Sequence, residues 1–481
     1  MKYILEKDYG LRSWIGLPRF VVSRSSCNGI NVKEESFNIL KKCDGKQHIE
    51  LNDECKELLK KGILKETTNN EELLEWQKYK SYDCKFTPTI YFRVTGVCNL
   101  NCLHCFNAAD INKDFSYWTY EEFKKLIAEA KEIGLIDFEI TGGEPLLNPD
   151  FIKIVKEIYA NDMIVSSIVT NGHFLTQEIL DELKFIGCDA TFRISFDSIG
   201  HHDWIRQQEG AEKVALEAIK LCVKNDLEVV VNMQANRITK DTILKSAELL
   251  DSIGVNTLRV IKTTESPRWT EFSKGADFSI TEYFDFCVDF LREYYKKDRK
   301  MNIILWNFGR FYSAQKEYSF QAVRCNPKEY NDLIISCPTQ RYKIALGSDG
   351  TLYPCHPASG YYDKYGIKYP NIKKVGLKKA ILDEAYIKDA HKTVGDMARI
   401  IKECRECKHF RQCLGGCKAL AYLFNNGENG PDYTKCEFFN NNYAEKVANV
   451  LPNDFKSIRK IVKDASYFTG DLKTLNSCDI E

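Results

Sequence analysis

Residues 96–107 read GVCNLNCLHCFN and follow TIYFRVT (residues 89–95), whose β-branched and aromatic residues predict a buried strand. Cys98, Cys102 and Cys105 therefore lie within eight residues, directly after a strand. Three thiolates can bind three irons of a [4Fe–4S] cluster and leave the fourth iron without a protein ligand. A zinc site needs a fourth ligand, which His104 could supply. The spacing and the position after a strand favour the iron–sulfur cluster.

Beyond this loop, strand-like and helix-like segments alternate regularly. The first amphipathic helix is YEEFKKLIAEAKEIG (residues 120–134), and the chain continues in six strand–helix units of about 25–35 residues each. This alternation is typical of a parallel sheet with right-handed crossovers. In such folds the chemistry gathers at the carboxyl ends of the strands. The sequence places the following residues at predicted strand ends: Cys98, Gly142–Pro145, Asn171, Ser195, Asp197 and Asn232.

The composition narrows the class of protein. The 481 residues are 44% hydrophobic and 28% charged, as in ordinary folded domains. Lys+Arg and Asp+Glu both number 68, so no global charge favours nucleic acid or an anionic membrane. The sequence shows no signal peptide and no apolar run of membrane-spanning length, which predicts a cytoplasmic protein. In that reducing compartment, the 19 cysteines favour metal binding over disulfides.

The CxxxCxxC loop resembles the cluster motif of the radical S-adenosylmethionine (SAM) superfamily, in which an aromatic residue or His usually precedes the third cysteine, as His104 does here. The resemblance implies a [4Fe–4S] cluster whose open iron is chelated by the amino and carboxylate groups of SAM. It further implies reductive cleavage of SAM to methionine and a 5′-deoxyadenosyl radical, which abstracts hydrogen from the substrate. The cofactors carry out this chemistry, while the protein positions them and excludes side reactions.

Other segments match SAM contacts of the same family. The matching residues are Gly142, Gly143, Glu144, Pro145, Asn171, Ser195, Asp197 and Arg206. By this resemblance Glu144, in TGGEP, accepts a hydrogen bond from the SAM amino group, while Ser195 and Asp197 face the ribose and Arg206 faces the SAM carboxylate. The alternatives are structural: a strand-to-helix turn at TGGEP, a surface position for Arg206, and a capping role for Asn171.

Eight further cysteines lie between residues 325 and 436. From Cys337 onward their spacing resembles the seven-cysteine SPASM domain, which implies two auxiliary [4Fe–4S] clusters. By match, the first cluster is bound by Cys337, Cys355 and Cys417, and the second by Cys404, Cys407, Cys413 and Cys436. Cys325 is the candidate for the fourth ligand of the first cluster; otherwise that iron is open. Zinc is the alternative for residues 404–417, because CxxC pairs are ordinary zinc ligands.

Residues 1–80 form a separate small unit. Strands are predicted at Lys2–Leu5 and Arg19–Val22, helices in NVKEESFNILKKCDG and DECKELLKKG, a closing strand at ILKET, and a structureless linker at Thr67–Lys80. This order predicts a winged helix, but the helices lack the basic face that DNA binding needs. The unit resembles the domain that binds the leader of ribosomally made peptides by adding a strand to a sheet edge. A structural cap on the barrel is the alternative.

Together these features predict an α/β fold. Its centre is a partial (β/α)6 TIM-like barrel, the radical SAM core, flanked by an N-terminal winged-helix α+β domain and a C-terminal cysteine-rich SPASM domain. The expected boundaries are residues 1–80, 85–300 and 301–440, followed by a tail of helix and loop at 441–481. A Phe/Tyr-rich stretch around residues 275–330 is predicted to be helical.

The expected function is that of a radical SAM/SPASM peptide maturase. The substrate would be a ribosomal precursor peptide that receives a thioether or carbon–carbon crosslink, with flavodoxin or ferredoxin as electron donor and no nucleic-acid or membrane partner. One alternative is an enzyme of the sulfatase-maturing type, which forms formylglycine; those enzymes commonly carry Asp after the second SPASM cysteine, where this chain has His356. A non-catalytic zinc or cluster protein is another. The sequence does not single out a general base.

Overall fold

A computed structural model describes residues 1–14, 17–25, 29–68, 71–82, 89–105, 116–263, 266–328, 330–337, 343–359, 366–383, 386, 392–425 and 430–458. Two small sheets lie near the amino terminus, and one sheet of 12 strands forms the body of the protein. The end of the predicted tail, residues 459–481, lies outside the described ranges. Within those ranges no helix has the length and apolarity that crossing a membrane requires.

The front unit combines seven strands with two helices. These elements are β1 (Lys2–Leu5), β2 (Tyr9–Trp14), β3 (Leu17–Ser23), β4 (Gly29–Asn31), α1 (Glu34–Leu40), β5 (Asp44–His48), α2 (Asp53–Lys60), β6 (Leu64–Thr67) and β7 (Lys80–Tyr82). The strand order is β5-β1-β6 in one sheet and β4-β3-β2-β7 in the other. Both helices and three of the strands lie where the sequence predicts them. Strands β2, β4, β5 and β7 are additional, and the description as a winged helix stays a prediction.

The segment predicted to be a structureless linker is instead packed into the front unit. Trp76 is 3% exposed and lies under the Arg12 guanidinium, whose central carbon is 4.2 Å from the ring centroid. Gln77 is also buried, and its Nε2 donates to the carbonyl of Leu5 at 2.6 Å. The prediction failed because the charged residues around Trp76 dominate the local composition, while the burial of the tryptophan depends on a partner 64 residues away.

The front unit contacts the barrel at the amino ends of the barrel strands. Trp14 packs with Ile136, which precedes the second barrel strand, and with Ile164, the first residue of the third. The indole Nε1 of Trp14 donates to the carbonyl of Ile133 at 3.2 Å. The front unit therefore lies at the end of the barrel opposite to the carboxyl ends of the strands.

The barrel is built from parallel strands that alternate with helices. Its elements are β8 (Thr89–Arg93), α3 (Tyr120–Ile133), β9 (Asp137–Thr141), α4 (Phe151–Ala160), β10 (Ile164–Thr170), α5 (Gln177–Ile186), β11 (Thr191–Ser195), α6 (His202–Arg206), α7 (Ala211–Lys224), β12 (Val229–Ala235), α8 (Lys240–Ile253), β13 (Thr257–Lys262), α9 (Pro267–Phe272) and α10 (Ile280–Tyr294). Strands β8 to β13 are neighbours in chain order, and every pair is parallel. The six predicted strand–helix units are confirmed.

Alternation along the strands separates the two faces of this sheet. On β8, Ile90 and Phe92 are fully buried in the core beneath the helices, whereas Tyr91 and Arg93 alternate with them and so lie on the inner face. The inner face also carries Glu139 on β9, whose Oε1 accepts from the Lys343 ammonium at 2.6 Å. Unlike the aliphatic interior usual in closed barrels, this interior is polar and charged.

The stretch over residues 275–330, predicted to be helical, contains the helix α10 (Ile280–Tyr294) but continues in strands. After α10 the chain forms β14 (Asn302–Leu305), β15 (Gly309–Tyr312) and β16 (Glu317–Phe320), which extend the barrel sheet. Strand β14 is parallel to β13, and the next two pairings are antiparallel. The aromatic residues of this stretch suit strands at least as well as helices. The helical prediction was therefore wrong for residues 302–320.

The cysteine-rich region and the predicted tail each contribute to one edge of the same sheet, so that the tail holds a short strand besides helix and loop. Strand β17 (Lys343–Leu346) is parallel to β8 and pairs with β18 (Leu352–Tyr353), while β19 (Lys456–Ser457) joins β16 at the far edge. Short helices fill the rest: a 3-10 turn at His356–Ala358, then Ile372–Val375, Leu377–Ala380, Val394–Ile400, Lys402–Arg405, Phe410–Cys413, Lys418–Asn425, Tyr433–Asn440 and Tyr443–Ala448. The barrel and the cysteine-rich region thus share one sheet, and the predicted domain boundaries stay predictions.

Candidate active site

The loop after β8 brings three thiols together at the carboxyl ends of the strands. Cys102 is buried, and Cys98 and Cys105 are partly buried. Burial raises the pKa of Cys98 to about 12, and the nearby thiols of Cys102 and Cys105 add to the rise. Buried neighbouring thiols lose their protons when a metal supplies positive charge, since a coordinating thiol is deprotonated outright. The donor set therefore fits the iron–sulfur cluster predicted from the sequence.

Two glycines fix the backbone of this loop. A Cβ on Gly142 would lie 2.5 Å from the carbonyl oxygen of Thr95, and one on Gly143 would lie 2.2 Å from that of Val97. Backbone hydrogen bonds join the same segments, from Gly143 N to Thr95 O at 2.7 Å and from Glu144 N to Val97 O at 2.8 Å. The glycines are therefore required for close approach to the cysteine loop. The sequence did not identify this contact with the cysteine loop.

Glu144 follows β9 and lies just before a 3-10 turn at Pro145–Leu147. Its side chain is fully buried, and its carboxylate accepts from the Thr170 hydroxyl at 2.7 Å and from the backbone N–H of Asn171 at 2.8 Å. Burial raises the pKa of Glu144 to about 7, although these hydrogen bonds oppose the rise. A carboxylate oriented by two fixed donors can accept a further hydrogen bond from a bound ligand. Thr170 was missed in the sequence, although it immediately precedes Asn171.

Asn171 connects the end of β10 to the cysteine loop. Its Nδ2 donates to Oδ1 of Asn99 at 2.8 Å and lies 4.0 Å from Cys98 Sγ, while its own Oδ1 accepts from the backbone N–H of His173 at 3.0 Å. These contacts are the capping role weighed as an alternative in the sequence. They orient the loop that carries Cys98, and the contact of Asn171 with SAM stays a prediction.

Asp197 and Arg206 form a buried ion pair beside the same loop. The guanidinium Nε of Arg206 donates to Asp197 Oδ2 at 2.5 Å, and its Nη1 lies 3.6 Å from Cys102 Sγ. Burial acts to raise the pKa of Asp197, but the charge and hydrogen bond of Arg206, together with the nearby imidazoles of His104 and His202, keep that pKa below its ordinary value. A surface position for Arg206 is thereby ruled out, since the side chain is 7% exposed.

Ser195 and Asn232 lie side by side on the inner face of the sheet. Ser195 is the last residue of β11 and pairs in register with Asn232 of β12. The sequence placed Asn232 at a strand end, which was wrong, because β12 continues to Ala235. The Oδ1 atom of Asn232 is buried with no hydrogen-bond partner within the described ranges. This pair extends the polar surface from the cysteine loop into the barrel interior.

Four C-terminal thiols lie close together, as the second predicted set requires. Burial raises the pKa of Cys404 to about 12, with further rises from Cys413, Cys436 and Cys407. Burial likewise raises the pKa of Cys436 to about 12, and Cys413 and Cys407 again contribute. Thiols raise one another's pKa in this way only when they lie close together. The structure thus brings Cys404, Cys407, Cys413 and Cys436 together.

The structure also relates members of the first predicted set to one another. Burial raises the pKa of Cys417 to about 11, and Asp432 and Cys337 contribute to the rise, which places Cys337 near Cys417. Cys355 packs in the same apolar group as Cys417. Cys325 belongs instead to the apolar group that contains Cys404. Its assignment as the fourth ligand of the first cluster stays a prediction.

Two cations, one buried and one partly buried, lie near cysteines of the two sets. Lys435 is buried, and burial lowers its pKa, while Asp432 and Cys417 act in the opposite direction. The Arg324 guanidinium donates to the carbonyl of Gly416, next to Cys417, at 2.8 Å. Because buried charges need counter-charges, these cations fit thiolate-ligated anionic clusters. Within the described ranges, no three Cys, His, Asp or Glu side chains meet tightly enough to hold a single metal ion, and the described cysteines are free thiols.

Sequence comparisons agree with this geometry. Residues 92–250 match the family model described as the radical SAM superfamily. The AdoMet-dependent heme synthase of Methanosarcina barkeri is 25% identical over 341 residues, which cover 69% of this chain and 91% of that protein. The PqqA peptide cyclase of Bradyrhizobium diazoefficiens is 22% identical over 356 residues, which cover 73% of this chain and 86% of that protein.

Solved structures share the fold. SuiB of Streptococcus suis bound to S-adenosylmethionine superposes with a TM-score of 0.61 at 14% identity, over 90% of this chain and 99% of that one. The structure of anSMEcpe with bound AdoMet and the Cp18Cys peptide superposes with a TM-score of 0.55 at 17% identity, over 76% of this chain and 99% of that one. The α/β fold with a radical SAM core, predicted from the sequence, is confirmed.

Proposed function

We propose that this chain, whose residues 92–250 match the family model of the radical SAM superfamily, modifies a ribosomally made precursor peptide. The observation that carries the proposal is the meeting of three elements at the carboxyl ends of β8 to β11. These are the three thiols of the cysteine loop, the glycine turn that ends in Glu144, and the Asp197–Arg206 pair. The cofactors expected there are a [4Fe–4S] cluster and SAM, with two auxiliary clusters at the C-terminal cysteine sets.

When bound, these cofactors supply a 5′-deoxyadenosyl radical that takes a hydrogen atom from the substrate, together with auxiliary electron acceptors. The chain's own residues would bind and orient these cofactors. Cys98, Cys102 and Cys105 would bind the cluster, and Glu144 would accept a hydrogen bond from the SAM amino group. Ser195 would face the ribose from the inner face of the barrel. Arg206, with five N–H groups on its guanidinium, has donors for the SAM carboxylate besides its two present contacts.

The C-terminal cysteines would bind the auxiliary clusters in the two sets described above. Removing one hydrogen atom from a peptide and then closing a thioether or carbon–carbon bond releases a second electron, which needs an acceptor. Lys435 and Arg324 would partly neutralise the charge of such acceptors. Flavodoxin or ferredoxin is the proposed electron donor, and the cytoplasm is the proposed compartment.

Three observations support a peptide as the substrate. One similar structure is that of SuiB bound to the precursor peptide SuiA, which superposes on this chain with a TM-score of 0.59 at 13% identity. One similar sequence is named PqqA peptide cyclase. The SuiB superposition also covers 90% of this chain, against 76% for anSMEcpe. This difference is comparable to the size of the front unit, which in the proposal binds the leader of the peptide.

Two other activities are supported by specific observations. The likeness to anSMEcpe keeps formylglycine formation as an alternative, although His356 replaces the Asp that such enzymes commonly carry. The His356 ring lies 4.3 Å from that of Tyr91 on the inner face of β8, so this position does border the barrel interior. The similarity to a heme synthase supports heme synthesis as another alternative activity. That activity would leave the front unit without a role.

Mass spectrometry of the reaction tests the proposal. The reconstituted full-length protein is incubated without oxygen with SAM, dithionite and the peptide encoded beside its gene. We expect a peptide lighter by two hydrogen atoms per crosslink, formed together with deoxyadenosine. A product that reacts with a hydroxylamine probe would be an aldehyde and would favour the formylglycine alternative. An unchanged peptide, with turnover of a porphyrin substrate instead, would contradict peptide modification.

Leader binding predicts a specific change in hydrogen exchange. Strand β4 lies at the edge of its sheet and precedes α1, with which it shares an apolar core through Ile30 and Phe37. An added peptide strand would bond to the outer backbone groups of β4 and lie beside this helix. We therefore expect exchange at Gly29–Asn31 to slow when the peptide is added. Strand β5, an edge of the other sheet, is the matched control. Slowing at Asp44–His48 alone would contradict this docking edge.

A further inference from the structure

Arg206 lies between a buried carboxylate and a cysteine sulfur. Its Nε donates to Asp197 Oδ2, while its Nη1 lies 3.6 Å from Cys102 Sγ, a distance suited to an N–H···S hydrogen bond. Asp197 is 0% exposed and Arg206 7%. At this depth the two opposite charges are poorly screened by water or salt. The guanidinium, which lies next to Cys102 Sγ, therefore acts strongly on whatever Cys102 binds.

The surrounding backbone fixes the pair from three sides. Asp197 Oδ1 accepts from the backbone N–H of Gln234 at 3.0 Å, and the backbone N–H of Asp197 donates to Nδ1 of His202 at 2.9 Å. The backbone N–H of Leu103 donates to the carbonyl of Ile205 at 2.9 Å and so ties the cysteine loop to α6, the helix that ends at Arg206. The distance between the guanidinium and the sulfur is therefore set by the fold.

We propose that the Asp197–Arg206 pair sets the reduction potential of the [4Fe–4S] cluster bound through Cys102, with Arg206 donating a charged hydrogen bond to the Cys102 thiolate. This inference rests on the proposed function, because it needs the cluster at this loop. Hydrogen bonds to the sulfurs and nearby charge are among the factors that set cluster potentials. Arg206 is thereby a positioning and tuning residue for the cluster.

The sign of each contribution follows from electrostatics. Reduction adds an electron to the cluster, so a cation beside the sulfur stabilises the reduced form and raises the potential. The Asp197 carboxylate partly offsets that cation and lowers the potential. Removing Arg206 should therefore lower the potential, and removing the charge of Asp197 should raise it. A general loosening of the site would move both variants in one direction.

Potentiometric titration followed by electron paramagnetic resonance tests this. The full-length protein is reconstituted with iron and sulfide, and the relevant signal is the one that SAM perturbs and that a Cys98→Ala, Cys102→Ala, Cys105→Ala variant lacks. We expect Arg206→Gln to shift the equilibrium about tenfold toward the oxidised cluster, which is about 59 mV for a one-electron couple. Asp197→Asn should shift the potential upward, and Arg206→Lys should restore part of the loss by keeping the charge.

Arg237→Gln is the matched control, because Arg237 forms an ion pair with Glu282 on the surface, where its side chain is 46% exposed. This variant should leave the potential unchanged. Unmoved potentials in Arg206→Gln and Asp197→Asn, or shifts of the same sign, would overturn the inference. If Arg206→Gln does not retain the cluster, the Asp197→Asn titration decides alone, since an upward shift supports the inference and no shift overturns it. If the parent protein itself shows no SAM-sensitive signal, that result would contradict the proposed function instead.

Discussion

Replacing Cys98, Cys102 and Cys105 together by alanine is expected to abolish deoxyadenosine formation from SAM. The reason is that these thiols lie together at the carboxyl ends of the strands and would bind the only cluster that meets SAM. The reconstituted parent protein should hold about twelve iron atoms, as three [4Fe–4S] clusters require, and the variant about eight. Iron analysis and chromatography of the SAM products measure both quantities.

The control replaces three other cysteines that the structure packs in the apolar core, namely Cys188, Cys222 and Cys287. These substitutions should leave the iron content and deoxyadenosine formation close to those of the parent. Deoxyadenosine formation that survives in the first variant would refute the central assignment. Zinc in place of iron in the parent protein would favour the non-catalytic alternative.

Gly143→Ala should displace the cysteine loop through a clash with its backbone. The added methyl group would lie 2.2 Å from the carbonyl oxygen of Val97, and backbone can yield less than a side chain can. Overpacking of this kind costs about 3 kcal/mol of unfolding free energy, at the upper end of the usual range. Urea denaturation should show this loss, and iron content should fall because Cys98 follows Val97 directly.

Gly187→Ala separates this effect from the general cost of replacing a glycine. Gly187 ends α5 with φ of 85° and has nothing within 4 Å of the position of an added Cβ. Its substitution should cost about 1 kcal/mol through backbone strain alone and leave the iron content intact. Equal losses of stability and iron in the two variants would contradict the role assigned to the Val97 contact.

The barrel could be predicted from sequence because each of its signals is local. Strands such as Ile164–Thr170 and helices such as Tyr120–Ile133 carry their own hydrophobic period, and Gly134 marks a helix end. The strand ends then placed Cys98 and Glu144 at one rim. The stretch from Asn302 to Phe320 was mistaken for helix because aromatic residues pack well in either element, and the sheet edge that receives it lies elsewhere in the sequence.

The partners of the buried polar groups could not be predicted in the same way. The sequence identified Arg206 as a basic residue of the site, but its contact with Cys102 depends on a loop 104 residues away. The sequence identified Gly143 as a residue of the site, but its contact with the carbonyl of Val97 depends on how two loops fold onto each other. Such pairings are set by tertiary structure, which a single sequence does not encode as a local pattern.

The barrel strands separate the front unit from the cysteine loop by a fixed distance. Trp14 contacts the amino ends of β9 and β10, whose carboxyl ends lie beside the cysteine loop, and those strands are five and seven residues long. At about 3.3 Å per residue, the wall between the two ends is roughly 16–23 Å high. A peptide anchored on the front unit must cross that height with about five to seven extended residues. Residues closer than this to the anchored leader would remain out of reach, so the spacing within the peptide would itself select which residue is modified.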